Sequence, residues 1–398
     1  MRIIVLLMVL MISIELQAQE NAFLTPMGAY EGIAGNTGIG RDGSVGSVIY
    51  NPAGMASIKS SKLSASGSAF SQNHIQLRGG GVNDDVKYIQ TIPAQITTVF
   101  TNPNFNWAFS ILVPKASDTT MKLQVDDPDL GPYTLNQKVS DTELLIGPSM
   151  GLRISNNFNV GLSVFASKRD FKQTAEIFLD DGTIKYLDAQ KDDISATALV
   201  PIVGILYTPS KDLSIGLRFS GPSTQLTGSN DSQFQQVFDD GATTETQNVS
   251  KTTDVNYEKP MDLGVGFSFS VSKNLRLLLD VSNQFQKKYT IYKENAQGEG
   301  DGESNKISLK NVQRYNLGLE YQVSHKDVLT FGFMHTPDPE EGASLDFSGL
   351  TLGYRTLDSI ADSSFGIFYN QAKDTVDEIE TKQTMVGLFI SSSINFLN

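Results

Sequence analysis

Residues 262–271 read DLGVGFSFSV. Leu263, Val265, Phe267, Phe269 and Val271 share one side of an extended chain, and Asp262, Gly264, Gly266, Ser268 and Ser270 share the other. Side chains alternate across a strand, so strict alternation marks a β-strand with two unlike faces. The pattern returns at 213–219 (LSIGLRF) and 316–323 (NLGLEYQV), and no stretch carries a convincing helical period.

The connections between such strands alternate in length. Six are short: 102–105, 155–157, 209–212, 272–274, 324–327 and 358–363. The segments between them are long and polar: 74–92, 115–140, 172–193, 222–259, 290–310, 336–347 and 372–383. Six short turns and seven long loops join fourteen strands. An even-numbered meander with short turns on one side and long loops on the other is the pattern of an outer-membrane barrel. A soluble β-sandwich also alternates. Against it stand polar faces rich in Gly and Ser and an expected strand length of about 9–14 residues, above the usual five or six. Lipid offers no partner to an open strand edge, so the sheet must close. The expected fold is therefore all-β: a transmembrane antiparallel barrel of about 14 strands.

The N-terminus reads differently. Arg2 precedes an apolar run from Ile3 to Ile14, followed by Leu16-Gln17-Ala18. This is the pattern of a secretory signal peptide over 1–18, and the run is shorter than the about 20 residues that span a bilayer. Residues 19–60 hold eight glycines yet carry Phe23, Leu24, Met27, Tyr30, Ile33, Ile39 and Val48. That is too apolar for a disordered tail and too aperiodic for barrel wall, so a plug in the lumen is expected, with the barrel over 61–398. The formal charge of −13 argues against a nucleic-acid partner, and the absence of cysteine excludes disulfides.

Most chemical motifs dissolve on inspection. Gly147-Pro148-Ser149-Met150-Gly151 matches G-x-S-x-G, but it lies within a strand and no helix follows. Gly38-x-Gly40-x-x-Gly43 matches a dinucleotide fingerprint without the required helix. The three histidines, His74, His325 and His335, fall at loops, turns or strand ends, so no enzyme, metal site or cofactor is expected. Acidic stretches at 126–129 and 299–304 lack the spacing of a calcium loop and read as solvated loops. If the apolar faces meet lipid, then Arg153, Arg218, Arg276, Asp280 and Glu320 point into the lumen. An internal ion-pair network would satisfy them. Alternatively, Arg153, Arg218 or Arg276 would meet a ligand carboxylate.

Asn51-Pro52-Ala53, within YNPAGMA at 50–56, resembles the hatch motif of the FadL/TodX family of outer-membrane transporters for long-chain fatty acids and other hydrophobic compounds. The likeness continues through LLIGPSMGLRISNNFNVGLSVF (144–165), GILYTPSKDLSIGLRFSGPSTQLTG (204–228) and LTFGFMHTPDP (329–339). The resemblance implies a fourteen-stranded barrel with an N-terminal hatch inside. It implies a monomeric Gram-negative outer-membrane channel, set among lipid and lipopolysaccharide. Such a channel takes up hydrophobic molecules passively and releases them sideways into the membrane. A second reading keeps the barrel but assigns it to secretion or assembly, with 222–259 as a surface for protein partners.

Overall fold

The computed structural model describes residues 25–79, 82–127, 131–180, 185–239, 241–291, 306–376 and 379–396. The expected leader at 1–18 and the acidic stretch 299–304 lie outside them. The chain runs through β1 (Lys62–Gly79), β2 (Val82–Thr101), β3 (Phe105–Asp127), β4 (Gly131–Arg153), β5 (Phe158–Asp180), β6 (Lys185–Ser210) and β7 (Leu213–Ser220). A hairpin of β8 (Thr224–Asp239) and β9 (Thr244–Asp254) follows, then β10 (Asp262–Ser270) and β11 (Leu275–Gln284). A second hairpin, β12 (Lys287–Thr290) with β13 (Lys306–Leu309), precedes β14 (Val312–Gln322). The chain ends with β15 (Asp327–Thr336), β16 (Phe347–Leu357), β17 (Ala361–Val376) and β18 (Ile379–Asn395).

Setting the two hairpins aside, fourteen strands pair in antiparallel order and β18 pairs with β1 to close the barrel. Each of the six short turns falls where the sequence places it. The lateral faces follow the alternation. Phe267 and Phe269 are exposed on the outside, while Ser268 is buried. Trp107, Phe109, Phe331, Leu350, Leu352, Ile367, Leu388 and Ile390 extend the outward apolar belt. A continuous apolar belt around a closed barrel is what lipid requires.

Two expectations need correction. Strands are not uniformly about 9–14 residues: β6 has 26 and β7 has 8. The described residues of the segments 74–92, 115–140, 172–193 and 372–383 are not loops but extensions of the wall strands. The physical reason is an exchange of environments. Within the membrane the apolar side chains face outward, as in Trp107, Phe109 and Ile111 of β3. Higher on the same strand Met121, Leu123 and Val125 are buried instead. A register shift between Leu112 and Lys115 reverses the facing, as a bulge does. Above the bilayer the outer face meets water, so it becomes polar and resembles a loop in sequence. The inner faces there close over their own core of Ile75, Leu77, Met121, Leu123, Tyr133, Leu135 and Ile177.

The segment 222–259 is also structured. Its β8 pairs with the upper part of β6, which has left β7 behind, and β9 forms the outer edge.

Candidate functional site

Residues 25–58 lie inside the barrel and are almost wholly buried. A single helical turn, Ser47–Tyr50, and a 3-10 turn, Pro52–Ser57, are separated by Asn51 in extended conformation. Proline suits the first position of the second turn because its missing N–H would have had no partner there. The Asn51 Oδ1 accepts the N–H of Ala53 at 3.2 Å, capping that turn. Its Nδ2 donates to Ile39 O at 2.7 Å and to Ile205 O of β6 at 2.9 Å. One amide thus joins two layers of the inner segment to the wall.

The wall accepts this segment through missing side chains. A Cβ on Gly161 or Gly204 would collide with the Asn51–Ala53 stretch, and one on Gly216 with the Ile39 carbonyl. These glycines sit on consecutive strands β5, β6 and β7, and their role is close approach of backbone to backbone. Their cause lies more than a hundred residues away in the chain, so they read locally only as a small, polar strand face.

Charged and hydroxyl groups complete the attachment around the ring. Asp280 of β11 accepts the N–H groups of Gly38 and Ile39 at 2.6 and 2.9 Å. The glycine fingerprint at 38–43 therefore begins with a loop whose backbone N–H groups donate to a wall carboxylate. Arg41 donates to Glu320 of β14 at 2.7 Å. Ser163 donates to Val48 O and Thr351 to Ile33 O, each at 2.7 Å. Of the three arginines singled out in the sequence, Arg153 donates to Ala56 O at 2.9 Å and Arg218 to Ile49 O at 3.1 Å. Arg276 sits opposite Glu320 in the β11–β14 register. The structure does not bring the three together. Ser149 of the G-x-S-x-G match bonds to Ser163 in the interior. Among the described residues no group of three or more His, Cys, Asp or Glu could hold a metal ion.

Above the inner segment lies a chamber. Ile49 contributes to its floor, Pro114, Leu145, Val200 and Ile202 to its sides, and Tyr257, Lys259 and Pro260 to its lining from the stretch before β10. Arg218 also lines it, and Arg153 and Arg276 do not. Its charged groups are paired: Lys259 with Glu143 at 2.5 Å, Lys115 with Asp141 at 2.5 Å, and both Arg218 and Arg314 with the single carboxylate of Asp262. An outer pocket, lined by Phe171, Ile194, Tyr289 and Ile307 among others, lies beyond it.

The wall beside the chamber is incomplete. β2 and β3 pair over seven positions only, from Thr101 with Asn106 to Gln95 with Leu112. Beyond that β2 stays with β1 up to Val82, and β3 with β4 up to Asp127, but the two no longer pair with each other. A tilted strand needs about 9–11 residues to cross a bilayer, more than the seven positions over which β2 and β3 pair. Pro93 and Pro114 stand near it, and proline has no N–H to give to a ladder. Pro114 also lines the chamber. The two prolines were the sequence signal for this feature, which alternation alone does not reveal.

A closed fourteen-stranded barrel with an apolar outer belt and an occupied lumen defines the class: an outer-membrane channel protein. Residues 16–346 match the model of the outer membrane protein transport protein family (OMPP1/FadL/TodX). The chain belongs to that family, whose members are transport channels and not enzymes, and it resides in the outer membrane of a Gram-negative cell. A search of curated proteins returns no match. Among solved structures it resembles the toluene transporter TodX of Pseudomonas putida, at 12% identity and TM-score 0.69, covering 94% of this chain and 100% of that one. A FadL homologue of Pseudomonas aeruginosa gives 14% identity, TM-score 0.68 and the same coverage. The toluene transporter TbuX of Ralstonia pickettii gives 15%, 0.64 and again the same coverage. At these identities the likeness speaks for the fold.

Proposed function

We propose that the protein is a passive channel for hydrophobic small molecules, and that it releases them sideways between β2 and β3. The observation that carries this reading is the contact of the chamber with the place where the wall parts, at Pro114. The inner segment, anchored all round by buried hydrogen bonds and by glycine contacts, acts as a hatch that closes the axial route. Asn51, Pro52 and Ala53 fix its position. A molecule that reaches the chamber then leaves through the side. Burial drives its capture, at roughly 0.8 kcal/mol per methylene. The hydrocarbon core of the membrane accepts it on the same terms. The leader at 1–18 directs export, and the barrel works as a monomer.

Within this reading, long-chain fatty acids are the cargo class. Arg218 and Arg314 share one carboxylate, which leaves a positive charge beside an apolar chamber, the complement of an acyl chain with an anionic end. Two of the similar structures, TodX and TbuX, are toluene transporters, so monoaromatics are the competing cargo. Uptake of radiolabelled oleate and of toluene by cells carrying the protein separates the two. Oleate uptake well above that of cells lacking the chain, reduced at least fivefold by Arg314→Gln with toluene unaffected, is the expected result. Uptake of toluene alone would assign the channel to neutral aromatics.

A further inference from the structure

The outer pocket and the chamber have one residue in common, Tyr257. It belongs to residues 255–260, a strap between β9 and β10, and is 4% exposed. On one side the strap is bonded to the β8 region. The N–H of Tyr257 donates to Gln225 Oε1 at 2.6 Å, that of Val255 to Gly228 O at 3.2 Å, and that of Lys259 to Ser223 Oγ at 2.7 Å.

Towards the opposite wall the strap presents two side chains. The Tyr257 ring lies over the guanidinium of Arg169 on β5, 4.8 Å from its centroid, and Lys259 pairs with Glu143 of β4. Arg169 is itself held by two hydrogen bonds to Asp141, at 3.0 and 2.8 Å. Asp141 also pairs with Lys115, which lines the chamber. A layer of ion pairs therefore separates the two cavities, with one aromatic side chain set into it.

An apolar molecule gains nothing from passing between paired charges, and separating them without water is costly. The aromatic face is the part of this layer that can be exchanged for an apolar ligand at little cost. Tyr257 and Lys259 stand two residues apart and both face the β4–β5 wall, so one displacement of the strap moves both. We propose that Tyr257 is a selectivity gate between the outer pocket and the chamber, setting the cross-section of the molecules that pass inward. The gate rests on the transport reading above and adds to it a residue that decides what is transported.

The test uses whole cells carrying the full chain, with toluene as the narrow probe and naphthalene as the wide one. Tyr257→Ala should raise the naphthalene-to-toluene uptake ratio at least fivefold, and Tyr257→Phe should keep the parent ratio. A folded Tyr257→Ala barrel with the parent ratio overturns the gate and leaves transport standing. Uptake of none of oleate, toluene and naphthalene above cells lacking the chain removes the transport reading and the gate with it, whereas oleate uptake with neither aromatic taken up, by the parent and by Tyr257→Ala alike, overturns the gate and leaves transport standing. The chain has no cysteine, which allows a second measurement independent of how well the alanine variant assembles. In Glu143→Cys/Lys259→Cys protein, a short bis-methanethiosulfonate cross-linker, which forms a disulfide with each thiol and releases methanesulfinate, should tie the strap to the wall. Uptake should fall at least fivefold and recover on reduction. Uptake that is the same before and after cross-linking also overturns the gate.

Discussion

Asn51 shows how much a single side chain can settle in this protein. Its amide supplies an acceptor to Ala53 and donors to Ile39 O and Ile205 O. In Asn51→Ala those two carbonyls lose a donor, at about 1–3 kcal/mol for each buried group left unsatisfied. Wall hydrogen bonds run between strands and do not depend on this residue. The variant should therefore keep a folded barrel, seen as heat-modifiable gel mobility, while small-ion conductance in planar bilayers rises. Unchanged conductance would mean that the inner segment does not seal the lumen. Gly216→Val tests the same joint from the wall, because its Cβ would meet the Ile39 carbonyl. It should raise conductance in the same way. The Asn-Pro-Ala turn was legible in the sequence because its chemistry is local. The glycines were visible only as a small polar face, because the backbone they admit comes from the far end of the chain.

At the scale of elements, the lipid-facing strands and their turns were legible, and the upper extensions were not. Alternation identifies a strand wherever one environment is apolar. On β3 the apolar partner changes from lipid outside to a protein core inside, so the pattern breaks at the bulge and resumes out of phase. The upper core should then behave as a unit of its own. Leu123→Ala should cost about 2–5 kcal/mol, as truncation in a packed core does, and make 115–140 sensitive to protease on intact cells without loss of the barrel. By contrast, Phe267→Arg places a charge against lipid and should cost about 2–4 kcal/mol in barrel unfolding near the midplane.

The connection between β15 and β16 carries a pH dependence. Burial raises the Asp338 carboxyl to about 6, although it accepts the N–H of Glu340 and lies near Lys310. A carboxyl raised in the folded state is favoured protonated. Its contribution is fullest below its ordinary value of about 3.9 and is lost as pH rises through about 6. Amide protection over 337–346, corrected for intrinsic exchange, should be higher at pH 5 than at pH 7.5. Asp338→Asn should flatten that difference.

At the scale of the whole molecule, both ends of the wall lie on the short-turn side, where Phe396 N–H donates to Ser61 O. The hairpin of β8 and β9 lies on the opposite side. A cysteine at the exposed Thr246 should react with an impermeant maleimide on intact cells, and one at Asn156 should not. What no reading of single segments could supply is the juxtaposition of chamber, inner segment and parted wall, since each depends on contacts between distant stretches. The claim that these three form one lateral route is tested most directly by closing the wall. Pairing between β2 and β3 stops at Gln95 with Leu112, so Ala94 and Val113 are the next residues along the two strands. In Ala94→Cys/Val113→Cys protein a disulfide would fasten the parting at its base, provided the two Cα atoms approach to about 4.4–6.8 Å. Oxidised protein should still bind a hydrophobic probe in the chamber, but uptake by cells should fall at least tenfold and return on reduction. Equal uptake by the oxidised and reduced forms would contradict release between β2 and β3.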